Sequence, residues 1–155
     1  MARPTWDKYF LDIATVVARR TSCLRHTVGA VIVRDNRILT TGYNGAPSGM
    51  KDCLQLGCLR DELGIESGKN IEICRALHAE QNAIILAGHH GVILKGGTIY
   101  TTHFPCILCT KMIINSGIKR VVSIERYADA VSYSLLEEVG ITYEVVGNVS
   151  RSSTS

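Results

Sequence analysis

Apolar positions recur along this chain with two periods. Trp6, Phe10, Ile13, Val16 and Val17 return at helical spacing, which predicts an amphipathic helix over residues 5–20 with one buried face. Residues 27–33 and 38–43 are β-rich runs. The turn-forming Asp35-Asn36-Arg37 between them predicts an antiparallel hairpin. Further on, residues 79–87 read as a helix, 98–102 as a strand, 107–115 as a helix ended by Gly117, and 120–124 as a strand. A helix over 130–139 and a last strand over 141–146 complete the pattern. This order predicts an α/β fold: a three-layer α/β/α domain with a mixed five-stranded sheet, helices on both faces, and later strands made parallel by crossover helices.

One stretch breaks the pattern. Residues 44–75 carry Gly45, Pro47, Gly49, Gly57, Gly64 and Gly68 with little periodicity, apart from a short helix expected around 59–63. A connection of that length inside a compact domain is usually functional or held by something. The whole reads as one domain over residues 1–147, followed by a flexible tail at 148–155.

Composition narrows the class. At 155 residues and 46% hydrophobic the chain can bury a core without disulfides. No apolar run reaches the roughly 18 residues of a membrane span, and the polar start does not resemble a secretory signal, so a cytoplasmic location is expected. The 6 cysteines then read as metal ligands, catalytic groups or buried thiols. A net charge of +3, with no basic run longer than a pair and few aromatics between cations, makes nucleic acid an unlikely partner.

The chemistry lies in two motifs, each where the chain passes into a helix: His78-Ala79-Glu80 and Pro105-Cys106-Ile107-Leu108-Cys109. Cysteines three apart share one face of a first helical turn, where the helix dipole favours thiolates. One imidazole and two thiolates suit zinc and leave a fourth tetrahedral position open for water. Glu80 can then take that water's proton without coordinating the metal. C-x-x-C alone also fits a structural zinc or a redox pair, but a redox pair leaves His78 and Glu80 without a role. H-x-E followed by P-C-x-x-C is the signature of zinc deaminases.

Over nearly its whole length the chain resembles the deoxycytidylate (dCMP) deaminases of the cytidine/deoxycytidylate deaminase superfamily. The resemblance rests on Val28-Gly-Ala-Val-Ile-Val33, Gly42-Tyr-Asn-Gly-Ala-Pro-Ser-Gly49, His78-Ala-Glu-Gln-Asn-Ala-Ile84, Pro105-Cys-Ile-Leu-Cys109 and Ser116-Gly-Ile-Lys-Arg-Val121. It implies conversion of dCMP to dUMP, a thymidylate precursor, by an oligomer that is often a hexamer. Many members are activated by dCTP and inhibited by dTTP, which brings in magnesium alongside a nucleotide effector. Carried onto this sequence, His78, Cys106 and Cys109 bind zinc and Glu80 shuttles protons. Asn44 and Ala79 contact substrate, and Gly42, Tyr43, Asn44 and Gly45 belong to a loop that lines the effector site in regulated members. Asn44 also reads as a turn-stabilising residue between glycines. His103 either contacts substrate or caps its strand, and Tyr127 either stacks on the substrate or simply packs. Arg25, His26, Arg34, Lys51 and Arg75 are phosphate candidates, each of a kind that is more often a solvated surface charge than a ligand.

Cys23, Cys53, Cys58 and Cys74 remain. Four thiols around an otherwise unsupported loop suggest a second, structural zinc; the alternative is free thiols. Some phage dCMP deaminases are similar in holding a second zinc with cysteines matching Cys23 and Cys53, but their other ligands differ. Alternative activities are deamination of another cytosine nucleotide, such as dCTP or CMP, or of a base in nucleic acid. A non-catalytic zinc module is a further alternative, against which Glu80 argues.

Overall fold

The computed structural model describes residues 2–126 and 129–147. Tyr127 and the expected tail at 148–155 lie outside the described residues. The element order is α1 (Trp6–Ala18), β1 (Gly29–Arg34), β2 (Arg37–Tyr43), α2 (Cys53–Leu56), α3 (Leu59–Glu62), a 3-10 turn (Ile71–Ile73), α4 (Ala79–His90), β3 (Thr98–His103), α5 (Ile107–Asn115), β4 (Arg120–Glu125), α6 (Ala130–Glu138) and β5 (Thr142–Val145). The sheet runs β2-β1-β3-β4-β5. β1 is antiparallel to β2 and β3, whereas β3, β4 and β5 are parallel, which gives the expected mixed five-stranded sheet.

The hairpin turns where Asp35 and Asn36 both take positive φ, at 53° and 57°. That is the handedness matching strand twist in a two-residue connection, and Asn and Asp tolerate it best after glycine. Strand alternation sorts the core into two layers. Ala30, Ile32, Ile99 and Val121 face the α4, α5 and α6 side, while Val31, Val33, Tyr100 and Val122 face α1.

The buried face of α1 differs from the sequence expectation. Phe10, Leu11, Ala14 and Ala18 are buried, whereas Trp6 and Val16 are exposed. The small alanines decide this, because they let α1 approach β1 closely. A Cβ on Gly29 would lie 2.1 Å from the Ala14 carbonyl oxygen. Gly42 does the same on the opposite face, where a Cβ would lie 2.2 Å from the Ala79 oxygen and 2.5 Å from the Ala83 nitrogen. Backbone contact of that kind sets the position of α4, and α4 carries the first chemical motif.

The 44–75 stretch is largely irregular. It holds α3 near the expected place and also α2, which periodicity did not show and which begins on an Asp52–Gln55 capping box. Its neck is closed by a two-way backbone pairing of Gly45 with Leu77, at 3.2 and 2.9 Å. Among the described residues no helix is long and apolar enough to cross a membrane.

Candidate active site

His78 stands at the N-cap of α4 and Cys106 at the N-cap of α5, so the two motifs meet where these helices begin. His78 is fixed by its backbone N–H, which donates to Gln81 Oε1 at 2.8 Å. Its Nδ1 lies 3.5 Å from Cys106 Sγ and 3.3 Å from Cys109 Sγ. Zinc–sulfur and zinc–nitrogen bonds of about 2.3 and 2.0 Å meeting tetrahedrally put N and S about 3.5 Å apart, so the spacing fits zinc. Among the described residues these three form the group of His, Cys, Asp or Glu ligand atoms gathered within 4.8 Å.

The electrostatics agree with a shared cation. The Cys106 thiol is lowered to about 4, first by donation from the Cys109 thiol and also by His78 and the Cys109 backbone N–H. Cys109 correspondingly holds its proton, and contact with Cys106 raises the His78 imidazole. A lowered Cys106 thiol against a raised His78 imidazole is the coupling of groups that share one small space, which a metal ion would occupy.

Glu80 is 4% exposed. Burial pushes its carboxyl up, with its own backbone N–H and His78 pulling the other way, and it stands beside the Cys109 thiol. The Thr101 hydroxyl on β3 lies 3.3 Å from Oε1 and bonds the His103 carbonyl at 2.5 Å. A carboxyl raised by desolvation suits proton transfer near neutral pH. Sequence reasoning missed Thr101. Its signal was strand alternation, which places it on the α4 side with Ile99 and leaves a buried hydroxyl in need of a partner.

His78, Glu80 and Cys106 open on a cavity of about 270 Å³, lined also by Asn44, His26, Arg60, Ala79 and His103. Asn44 is buried; its Oδ1 accepts from Val28 N at 3.0 Å and its Nδ2 donates to the His26 carbonyl at 2.7 Å. Asn44 therefore braces the loop and retains one lone pair and one N–H for a ligand. The His103 ring is held between Glu125 Oε2 at 2.9 Å and Thr102 Oγ1 at 3.0 Å. Of the expected effector loop, Tyr43 is exposed, Gly42 faces the α4 backbone, and Asn82 clamps the Tyr43 and Gly45 carbonyls at 2.8 and 3.3 Å.

Of the five phosphate candidates only His26 lines this cavity. Arg34 donates to the Ile93 carbonyl, Arg75 to that of Lys51, and Arg25 to Asp61 and the Ile65 carbonyl. The four remaining cysteines share one neighbourhood. Cys53 and Cys58 are buried, Cys23 and Cys74 line the cavity, and burial, then Cys74, Cys23 and Cys58, raises the Cys53 thiol. No three of them lie within 4.8 Å of one another.

Residues 4–125 match the cytidine and deoxycytidylate deaminase zinc-binding region. The chain belongs to that family. It is 40% identical over 140 residues to the deoxycytidylate deaminase of Schizosaccharomyces pombe, covering 90% of this chain and 43% of that protein. The chain thus spans less than half the length of that yeast relative. It is 45% identical over 127 residues to the deoxycytidylate deaminase of Mycobacterium phage D29, covering 79% of this chain and 96% of the phage protein. Among solved structures, the dCMP deaminase of cyanophage S-TIM5 in complex with dCMP and dUMP superposes with a TM-score of 0.77. It is 29% identical and covers 94% of this chain and 99% of its own.

Proposed function

We propose that the protein hydrolyses dCMP to dUMP and ammonia at the His78–Cys106–Cys109 centre. The observation that carries this reading is the buried Glu80 standing beside a zinc-fitting trio at one end of a nucleotide-sized cavity. His78, Cys106 and Cys109 hold the metal, which when bound supplies Lewis acidity that makes water acidic enough to attack near neutral pH. Glu80 takes one proton from the attacking water and gives it to the ring nitrogen, then takes the proton left on the new C4 hydroxyl and gives it to the departing amine, so that water oxygen replaces nitrogen at C4 and ammonia leaves. Thr101 flanks the Glu80 carboxyl from β3, and Asn44 offers its free amide valences to the sugar.

Zinc-loaded protein should consume dCMP faster than CMP, dCTP, deoxycytidine or a cytosine oligonucleotide, followed as loss of cytosine absorbance. Glu80→Gln should keep its zinc and lose activity by at least about 10³-fold. Turnover of none of these compounds, with and without dCTP and magnesium, would overturn the reading. We include in it a homo-oligomer, with a hexamer favoured. It is supported by the exposed Ile85 and Leu86 on α4 and Leu108 on adjacent α5, and is tested by light scattering.

The shared neighbourhood of Cys23, Cys53, Cys58 and Cys74 supports a second, structural zinc, whose binding would draw the sulfurs together and stiffen the loop. Metal analysis tests it. Two zinc ions per chain in the wild type and one in Cys106→Ser is the expected result, and a single ion in the wild type refutes it.

A further inference from the structure

We propose that Arg60 is the phosphate-recognising residue of the cavity and, with His26 beside it, selects a nucleotide over a nucleoside; this rests on the deaminase reading above. Arg60 sits on α3 and lines the same cavity as His78 and Glu80, yet its side chain is buried, at 6% exposed. Its Nη2 donates to the Glu66 carbonyl at 3.3 Å, and its buried Nε has no partner. Among the described residues no carboxylate pairs with it. A guanidinium cannot shed its proton to escape burial, so a buried one without a counter-charge is costly until an anion arrives.

The cavity's own field points the same way. Among the described residues that line it, Glu80 is the one acidic side chain, and it belongs to the proton-transfer machinery. Around His26, burial and then His103, Arg60, Arg25 and His78 disfavour a further positive charge, and of these Arg60 is the guanidinium that lines the cavity. The His26 ring reaches Ser67 Oγ at 3.1 Å, which ties it to the loop that also carries Arg60 and Glu66. Cytosine and deoxyribose are uncharged. The anionic part of a nucleotide is its phosphate monoester, whose oxygens match the planar fork of an arginine.

The sequence did not single Arg60 out, because a lone arginine between Leu59 and Asp61 in an aperiodic loop looks like a solvated charge. Burial alone distinguishes it, and burial is tertiary.

The test uses full-length, zinc-loaded wild type, Arg60→Gln and Arg60→Lys, each checked for zinc content and thermal midpoint. Arg60→Gln should lower kcat/KM for dCMP about 100-fold or more and change that for deoxycytidine by less than about threefold. Arg60→Lys, which keeps the charge without the fork, should fall between. Inorganic phosphate should compete with dCMP in the wild type. By calorimetry, it should bind Arg60→Gln at least about tenfold more weakly. Equal losses on both substrates, or unchanged phosphate binding, would overturn the assignment. Should Arg60→Gln fail to fold, Arg60→Lys and wild-type phosphate titration decide it: phosphate that neither raises the thermal midpoint nor competes with dCMP overturns it. Should the wild type deaminate nothing, the deaminase reading fails on its own, and the calorimetric comparison still decides whether Arg60 holds phosphate.

Discussion

Adding one methyl group at Gly42 should disable the chemistry from outside the site. Its Cβ would fall 2.2 Å from the Ala79 oxygen and 2.5 Å from the Ala83 nitrogen. Comfortable contact begins near 3.5 Å, so α4 would have to retreat from β2 by about 1 Å. Neither atom is the end of a flexible side chain, so the cost should reach the upper part of the overpacking range, about 3 kcal/mol. Because His78 caps α4 and Glu80 lies in its first turn, the same retreat moves a zinc ligand and the proton carrier relative to Cys106 and Cys109. A displacement of that size costs about 100-fold in rate. Gly29→Ala is the control. It meets the Ala14 oxygen at 2.1 Å and the Ala18 nitrogen at 2.6 Å, an equal clash, but against α1, which carries none of the candidate site residues. Urea titration and kcat for dCMP on zinc-replete protein separate the two. Both variants should lose similar stability, and only Gly42→Ala should lose kcat in its folded fraction. A Gly42→Ala enzyme with wild-type kcat, or a Gly29→Ala enzyme slowed as much, would refute the positioning of the site by α4.

The remaining predictions concern the frame around it. Asp7 pairs with both Arg120 Nη atoms at 2.8 and 2.7 Å and accepts from Tyr100 at 2.7 Å, so Asp7→Asn should cost about 1–2 kcal/mol by denaturant titration. Donation from Arg120 holds the Asp7 carboxyl below its ordinary value. Its contribution is therefore full above about pH 4 and lost as pH falls through the lowered value, and the variant's melting temperature should fall less steeply on acidification than the wild type's. Asn44→Ala strands the Val28 N–H and the His26 carbonyl and should cost about 2–3 kcal/mol while raising KM for dCMP, read by urea midpoint and steady-state kinetics. Stripping zinc with a chelator should lower the melting temperature by about 10 °C, restored by adding zinc; an unchanged melt would mean the metal contributes nothing to folding.

What could be read in advance followed from local rules. Asp35-Asn36 carries its turn chemistry in two residues, and His78, Cys106 and Cys109 carry theirs in ligand type and helical spacing. Apart from α2, whose capping box is local, the misreadings are tertiary. α1 offers two overlapping apolar stripes, and only the close approach of Gly29 to Ala14 selects the one without Val16. Asn44 lines the cavity, but its bracing of Val28 and His26 depends on partners 16 and 18 residues away. Thr101 and Arg60 have unremarkable neighbours in sequence, and their meaning comes from being buried opposite groups that the chain delivers from elsewhere.

The Gly45–Leu77 clasp divides the labour of this small domain along the chain. Outside the clasp, the helix starts at His78 and Cys106 bring together the proposed metal ligands. Inside it, Arg60, Gly68, Ile71, Cys74 and Ala76 supply much of the wall that a ligand meets. A segment closed at its neck can lengthen, shorten or change composition without unpairing a strand. The helix starts and much of the cavity wall are thus separable inheritances, and the shape of the cavity is open to change through the enclosed loop while the helix starts stay as they are.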